Sequence, residues 1–345
     1  MIAERFAAQL LSGPAARSAV DVAERLLAIQ GLLPRGARLA IRARSVGLDA
    51  TEVDRALTAE RSLVITWLNR GTLHLVRSAD YWWLHGLMTP PLFTGNARRL
   101  AQEGVPPDSA DRGVAVIERS LAADGPLTRA QLRERIAAAG VRTEGQALVH
   151  LLVLASLRGV VVRGPVAGGE QAYVLVRDWL GPPPAAVDRD AALARLARRY
   201  LVGHGPATDR DLARWCALPL RDVRRGLTEI AAELTDRGPD LAGHVGLADL
   251  ANRDGPGLPP PRLLGAFDPL LLGWASRETY LGAHHGIVTV NGLFRPFALV
   301  RGRAAATWSM RHAEVTLKPF TSLTGAEKAA LDRDAANVKR FLGTA

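Results

Sequence analysis

Residues 124–140 read "DGPLTRAQLRERIAAAG", and residues 204–219 follow the same plan as "HGPATDRDLARWCALP". An amphipathic segment precedes each stretch, and each one opens with Gly-Pro. Each then places a threonine, Thr128 or Thr208, at the position that an N-cap takes at the start of a helix. An internal repeat of this kind indicates one structural unit that the chain uses twice.

The residue three positions after each threonine completes the signal for a helix start. Gln131 gives the spacing of a capping box, and Asp211 gives the same spacing in weakened form. We expect each short helix to stop and a second helix to begin, near Thr143 and near Pro219. A helix, a turn and a second helix form the arrangement that sets a recognition helix in the DNA major groove.

The stretch after the first copy, at residues 158–176, has the pattern of a β-hairpin. Strands are expected at 160–162 and 173–176, joined by a glycine-rich tip at 168–169. A helix-turn-helix followed by a β-hairpin is a winged helix, so the two copies predict a tandem array. The N-terminal block fits a third copy. Helices are expected there at 18–30, 35–46 and 50–58, followed by a strand at 72–76.

The C-terminal part has a different pattern. Proline-rich stretches at 180–186 and 253–261 indicate linkers. Beyond the second, short alternating segments predict a small β-barrel or sheet, and a helix is expected at 324–342. We therefore predict an α+β protein in four parts: an N-terminal winged-helix-like domain (1–109), a second winged helix (110–180), a third winged helix (188–252) and a β-rich region with a terminal helix (260–345).

Composition limits the class of protein. The chain has 345 residues, 48% of them hydrophobic, and no apolar run approaches the ~18 residues of a membrane span. No signal peptide pattern opens it, so we expect a cytoplasmic protein. Cys216 is the only cysteine, which excludes an internal disulfide and a multi-cysteine zinc site. The two adjacent histidines, His284 and His285, have no further ligands at the spacing of a metal site, so we expect no metal. The sequence also lacks a phosphate-binding loop and a dinucleotide-binding fingerprint, so we expect no cofactor.

The net charge of +10 points to a polyanionic partner. The excess positive charge concentrates at 25–44, 189–225 and 295–318, which favours a binding surface over a scattered solubilising charge. Within the first cluster, arginines at 35, 38 and 42 share one helix face about 60° wide, and Arg44 follows. No acidic residue lies among them. We expect Arg35, Arg38, Arg42 and Arg44 to contact phosphates; the alternative is a solvated face.

Other residues are weaker candidates. Arg70 is followed by a glycine at a strand entry, where the backbone can approach a phosphate, and Thr72 and His74 lie on the same strand. A lone strand histidine is more often a hydrogen-bonded structural group than a catalyst. Trp308 and Arg311 are expected at a DNA-facing rim.

Two further segments have more ordinary interpretations. Asp268 precedes a proline and is expected to cap a turn, with a catalytic carboxylate as the alternative. The aromatic stretch at 81–87 is expected to pack in a core rather than to stack on bases.

Three motifs together resemble one protein family. "ITWLNRGTLHLV" (65–76), "LLGAFDPLLLGW" (263–274) and "LFRPFALVRGRAAATW" (293–308) resemble the bacterial winged-helix DNA glycosylases of the AlkZ/YcaQ type, in the same order along nearly the whole chain. The resemblance implies three tandem winged helices and a β-barrel around a C-shaped basic concave surface. It also implies excision of alkylated purines from duplex DNA, and in some members of bulky or crosslinked adducts.

The resemblance assigns a catalytic role to Gln30. In this family a glutamine, an apolar residue and a second glutamine or an aspartate lie at a helix end and hold a water against the anomeric carbon. Here the motif reads Gln30-Gly31-Leu32. Leu32 has no side chain that donates or accepts a hydrogen bond, so half of the polar pair is missing. From the residues alone, Gln30 also fits a helix C-terminus that ends before a glycine.

Three functions remain open at this stage. The first is a monomeric, nucleoid-associated DNA glycosylase for alkylated, cationic purines. The second is a non-catalytic protein that binds duplex DNA or recognises damage in it. The third is a transcription regulator, which the tandem array disfavours because it lacks the two-fold symmetry of palindromic operators. Residue 32 distinguishes the first two.

Overall fold

The computed structural model describes residues 1–167, 169–185, 187–236, 243–251 and 257–344. The chain forms two compact units. Unit 1 combines Met1–Val53 with Asp190–Ala345, and unit 2 is Asp54–Arg189. The chain passes from unit 2 to unit 1 just after the linker expected at 180–186. The division into four parts stays a prediction.

Helices and strands occur in both units, which confirms a mixed helix and strand architecture. The helices are α1 (Ile2–Ala8), α2 (Ala19–Leu26), α3 (Pro34–Arg42), α4 (Ala50–Thr58), α5 (Tyr81–Met88), α6 (Leu92–Gln102), α7 (Pro107–Asp124), α8 (Arg129–Ala138), α9 (Ala147–Leu157), α10 (Val176–Leu180), α11 (Arg189–His204), α12 (Asp209–Cys216), α13 (Leu220–Glu229), α14 (Ala248–Ala251), α15 (Glu278–Leu281) and α16 (Gly325–Phe341). The strands are β1 (Ile29–Gln30), β2 (Leu63–Leu68), β3 (Thr72–Arg77), β4 (Val161–Ala167), β5 (Glu170–Leu175), β6 (Leu234–Asp236), β7 (Val245–Leu247), β8 (Arg262–Leu264), β9 (Phe297–Val300), β10 (Arg303–Arg311) and β11 (Glu314–Pro319).

The repeat seen in the sequence is present as a repeated order of elements. Unit 2 contains α7, α8, α9, β4 and β5 in succession, and unit 1 contains α11, α12, α13, β6 and β7. Thr128 and Thr208 both cap their helices through complete capping boxes. Asp211 closes its box as well as Gln131 does, because its carboxylate accepts from the Thr208 backbone N–H at 3.0 Å. The weakening expected for the aspartate copy is therefore not seen.

Each copy also pairs the residue before its threonine with the second strand of its hairpin. Leu127 bridges Tyr173 of β5, and Ala207 bridges Val245 of β7, both antiparallel. The first hairpin has β4 and β5 close to their predicted positions, although residue 176 already begins α10 and residue 168 lies outside the described residues. Both copies therefore share a single bridged residue beside the hairpin, a contact that the sequence pattern did not indicate.

The N-terminal block departs from the predicted helix at 18–30. Ser18 caps α2 by accepting from the Asp21 N–H at 3.0 Å. The helix ends at Leu26 because Leu27 has φ 64° and ψ −46°, outside the helical region. Gln30 therefore lies in the short strand β1 and not at a helix end. The next helix begins at Pro34, as the proline preference for a first helical position favours, and ends at Arg42 instead of 46.

The C-terminal region is an open antiparallel sheet with the order β11-β10-β9-β8. Helix α16 begins with a capping box at Thr324 and buries Leu331 and Val338 in the core of this region. The first of the short alternating segments, at residues 286–292, was expected to be a strand but forms a short 3₁₀ turn and one bridge between Val288 and Phe294. In unit 2 the strands have the order β3-β2-β4-β5. Among the described residues, no helix is long and apolar enough to cross a membrane.

Candidate active site and nucleic-acid interface

Gln30 is held by the backbone of its own segment. Its side chain is 6% exposed, and its Oε1 accepts a hydrogen bond from the Leu32 N–H at 2.7 Å. Within the described part of the chain, its Nε2 has no protein partner. Because α2 ends at Leu26, the interpretation of Gln30 as a helix cap is wrong. This hydrogen bond fixes the amide oxygen, which keeps a second lone pair as an acceptor. The two N–H groups of the amide also remain for a ligand.

The residue at the second position of the motif supports Gln30 through its main chain only. Leu32 and Leu33 are 45% and 44% exposed. The Leu32 N–H orients the Gln30 oxygen whatever side chain stands at position 32. The departure from the family motif therefore removes a polar side chain without releasing the first glutamine.

The arginines of α3 differ in exposure and in their partners. Arg35 is exposed and has no acidic partner among the described residues. Arg38 is half-buried, and one of its guanidinium N–H groups donates to the Pro34 oxygen at 3.2 Å. Arg42 is 5% exposed and binds both carboxylate oxygens of Asp334, at 2.8 and 3.1 Å. The expectation that Arg42 contacts phosphate is wrong, because its guanidinium is enclosed.

Arg44 is also structural. Its side chain is fully buried and forms a two-point ion pair with Asp268, at 2.7 and 2.9 Å. The same guanidinium donates to Gln9 Oε1 at 2.9 Å and to the Ala40 oxygen at 3.0 Å. Asp268 also accepts from the Leu270 N–H at 2.9 Å, which confirms the expected turn cap. Neither Arg44 as a phosphate contact nor Asp268 as a catalytic carboxylate fits this geometry.

The turn between β2 and β3 holds the next group of candidates. Arg70 has φ 57°, in the left-handed region, and Thr72 donates through its hydroxyl to the Asn69 oxygen at 3.2 Å. His74 is buried, and its Nδ1 donates to the Thr72 oxygen at 2.9 Å. Burial, together with the charge of Arg70, lowers the pKa of His74 to about 3. His74 is therefore neutral near pH 7, with Nε2 as an acceptor, and it is too weak a base for proton abstraction.

Asn69 belongs to the same segment, and the sequence analysis gave it no functional role. It is fully buried, and neither Oδ1 nor Nδ2 has a hydrogen-bond partner among the described residues. A buried amide without partners costs about 1–3 kcal/mol, so the turn retains binding capacity that its own fold does not use. The sequence showed an asparagine in a turn, which is common, and gave no sign of its burial.

The C-terminal candidates also differ from each other. Trp308 is 4% exposed and belongs to the core of unit 1, with Nε1 donating to the Leu264 oxygen at 2.8 Å. Its expected place at a DNA-facing rim is wrong. Arg311 is exposed at the end of β10, where His312 and Ala313 turn the chain with positive φ. Tyr81 and Trp83 of the aromatic stretch are buried, as the core interpretation predicted.

Each unit therefore brings part of the candidate set together. In unit 1, Gln30 of β1 comes just before Arg35 and Arg38 of α3. In unit 2, Arg70 and His74 lie with Asn69 at one end of the β2–β3 hairpin. In the described residues, no group of three or more His, Cys, Asp or Glu side chains is placed to hold a metal ion.

Comparisons with known proteins identify related chains. The family model described as "DNA glycosylase AlkZ-like" matches residues 23–341. The interstrand DNA cross-link repair glycosylase of Streptomyces sahachiroi is 27% identical over 369 residues, covering 99% of this chain and 96% of that protein. The solved structure of the Streptomyces sahachiroi DNA glycosylase AlkZ is similar with a TM-score of 0.79 at 27% identity, again over 99% and 96% of the two chains.

Proposed function

Because this chain belongs to the AlkZ-like family of DNA glycosylases, we propose that it is a monofunctional glycosylase that excises alkylated, cationic purines from duplex DNA. The observation that carries the proposal is Gln30, a nearly buried amide at the family's catalytic position whose oxygen is fixed by the Leu32 N–H and whose Nε2 has no protein partner among the described residues. An amide kept in this state suits the positioning of one water molecule.

A cationic base is a good leaving group, so its excision needs little acid catalysis from the protein. Alkylation at N7 or N3 weakens the bond between the purine N9 and the sugar C1′, and that electron pair leaves with the base, which becomes neutral. Water adds to the oxocarbenium-like C1′ and releases a proton to solvent. Gln30 accepts one water hydrogen through Oε1 or donates to the water oxygen through Nε2, which fixes its position without acting as a base.

Leu32 narrows the range of substrates. A second polar residue would add a hydrogen bond to the transition state, and the loss of a few kcal/mol there lowers a rate about a hundredfold or more. A cationic N7-alkylguanine already has a labile bond, so its excision stays measurable. Neutral and chemically stable adducts are expected to stay in the DNA because the protein does not excise them at a measurable rate.

The scaffold supports binding to duplex DNA. We interpret the repeated order of three helices and a hairpin, with a bridged residue before each threonine, as two winged helices. A third copy is proposed for the N-terminal block, and the protein is proposed to act as a monomer. Arg35, Arg38, Arg70 and Arg311 are the proposed phosphate contacts, with Thr72 and His74 beside Arg70. Such contacts bind duplex DNA with little sequence preference.

The test is single-turnover excision from duplexes that carry 7-methylguanine. The parent should release the base slowly, Leu32→Gln should release it faster, and Gln30→Ala should lose release while keeping its affinity for DNA. Arg42 and Arg44 stay unchanged in these variants because they hold the fold. Gln30→Ala at the parent rate would show that the amide has no catalytic role. If neither the parent nor Leu32→Gln releases any base, the protein is a non-catalytic DNA-binding protein. The apolar side chain of Leu32, in place of the second polar residue of the motif, is the observation that favours this alternative.

A further inference from the structure

We infer that Gly36 and Gly265 are positioning residues of the candidate active site. Their backbones meet without a side chain between them, and this contact sets the place of the Leu32 N–H that holds Gln30. The inference rests on the proposed function and adds two residues that act through Gln30 without touching the substrate. It starts from a glycine inside helix α3, where helix preference alone would favour another residue.

The first turn of α3 lies against the loop that follows strand β8. A Cβ on Gly36 would come within 2.6 Å of the Ala266 oxygen. From the other side, a Cβ on Gly265 would lie 2.9 Å from Leu39 Cβ and 3.2 Å from the Gly36 oxygen. A carbon atom does not approach a backbone oxygen as closely as 2.6 Å, so the contact requires glycine. The helix and the loop are therefore in backbone contact at this point.

The loop on its side of the contact is fixed at both ends. Before it, the Leu264 oxygen accepts from Trp308 Nε1 at 2.8 Å, and Trp308 is part of the core of unit 1. After it, Asp268 forms the buried ion pair with Arg44, just beyond the end of α3. Between them, Phe267 has φ 57°, a left-handed conformation that a bulky residue adopts only where its surroundings impose it. The loop therefore gives α3 a fixed support.

The first turn of α3 passes its position on to Gln30 through few bonds. Leu33 is the N-cap residue, and its oxygen accepts from the Ala37 N–H at 3.1 Å. Pro34 has a restricted φ and keeps Leu33 extended, with φ −107° and ψ 111°. Leu32 comes directly before, and its N–H donates to Gln30 Oε1 at 2.7 Å. A shift of the first turn therefore moves the donor that orients Gln30.

An added methyl group at either glycine would push α3 away from the loop and change the direction of this hydrogen bond. The helix takes up the change, because the loop is fixed at both ends. A water molecule held by Gln30 would then be misplaced relative to the sugar carbon, and a misplacement of about 1 Å costs about a hundredfold in rate. Affinity for duplex DNA depends on phosphate contacts and should change little.

The experiment compares three glycine-to-alanine variants of the full chain. Gly36→Ala and Gly265→Ala crowd the contact, and the smaller overlap at Gly265 provides a second variant if Gly36→Ala unfolds. Gly113→Ala is the matched control, because this glycine is buried in α7 of unit 2, where a Cβ would lie 3.0 Å from Leu151 Cδ2. All three add one methyl group at a crowded buried position, so each is expected to melt below the parent.

Two measurements separate positioning from a general loss of stability. In protein labelled with ¹⁵N-leucine, the Leu32 N–H is assigned by the signal that Leu32→Gln lacks. Its hydrogen exchange should be about fivefold or more faster in both site variants, because the bond to Gln30 is weakened. Single-turnover excision of 7-methylguanine at saturating protein should be about tenfold or more slower, with duplex affinity within about twofold of the parent. Gly113→Ala should match the parent in exchange and in rate.

The outcomes distinguish this inference from the proposed function. Parental exchange of the Leu32 N–H in both site variants would overturn the inference, and so would a slower excision rate shared by Gly113→Ala. Faster exchange with a parental excision rate would also overturn it, because the contact would then have no part in catalysis. A parent that releases no base would overturn the proposed function, and the exchange measurement would still decide whether Gly36 and Gly265 fix the Leu32 N–H.

Discussion

Two arginines near the end of α3 take their partners from distant parts of the chain. Arg42 pairs with Asp334, 292 residues away, and Arg44 pairs with Asp268, 224 residues away. The second pair is fully buried on both sides. A buried charge that loses its partner is costly, because the interior solvates it poorly. These contacts therefore make α3 a structural junction of unit 1.

Replacing Arg44 by Met tests this role at the scale of one residue. The substitution keeps most of the volume but leaves the Asp268 carboxylate buried without its cation. We expect the free energy of unfolding to fall by about 3–5 kcal/mol. Urea unfolding at pH 7 measures the change. The matched control is Arg35→Met on the same helix, which is exposed and should stay within about 0.5 kcal/mol of the parent. An Arg44→Met variant as stable as the parent would contradict the structural assignment.

At the scale of elements, a glycine sets how closely α13 approaches α11. A Cβ placed on Gly226 would lie 2.5 Å from the Leu193 oxygen, which no real contact allows. The missing side chain lets the two helices cross with their backbones nearly touching. This crossing holds α13 with its arginines outward.

Gly226→Ala should therefore act against the usual helix preference. In an open helix, alanine is better than glycine by about 1 kcal/mol. Here the methyl group must push the helices apart, and we expect a loss of about 1–3 kcal/mol, seen as a lower melting temperature. Gly86 in α5 provides the control, because its Cβ would meet no atom within 4 Å. Gly86→Ala should keep or raise the melting temperature. The same response from both variants would show that α13 has room to move.

At the scale of the whole molecule, buried histidines link stability to pH. Burial lowers the pKa of both His74 and His204 to about 3. In the unfolded chain a histidine takes up a proton near pH 6.5, whereas the folded protein leaves these two neutral until far lower pH. Acid therefore favours the unfolded chain, and stability is complete above about pH 6.5.

The expected result is a fall in the free energy of unfolding as pH drops from about 6.5 towards 3. Each such histidine contributes a slope of roughly 1.4 kcal/mol per pH unit in that window. Urea unfolding between pH 4.5 and 6.5 measures it above the range where most carboxylates titrate. His204→Gln should lower the slope by one histidine's share, whatever it does to stability at pH 7. A slope that His204→Gln leaves unchanged would show that this ring is not kept neutral by the fold.

Features that depend on neighbours in the sequence were predictable. The capping boxes at Thr128 and Thr208, the β-hairpin after the first copy and the turn cap at Asp268 all depend on atoms two to four residues apart or on local alternation. The helix end at Leu26 was missed because nothing in its neighbours marks Leu27 for a positive φ. Gln30 was found by its place in a motif, whereas its hold on the Leu32 N–H required coordinates.

The sequence by itself determined the repeat, the helix starts and the family, because each of these is written in short-range spacing and motif order. Only the tertiary structure decided which arginines are buried in ion pairs. Arg42 and Arg44 look uncompensated in the sequence, and Asp334 and Asp268 neutralise them from more than two hundred residues away. Tertiary packing likewise covered α9 and left α13 open. Burial and charge pairing depend on segments that are distant in sequence. A local sequence pattern therefore cannot predict them.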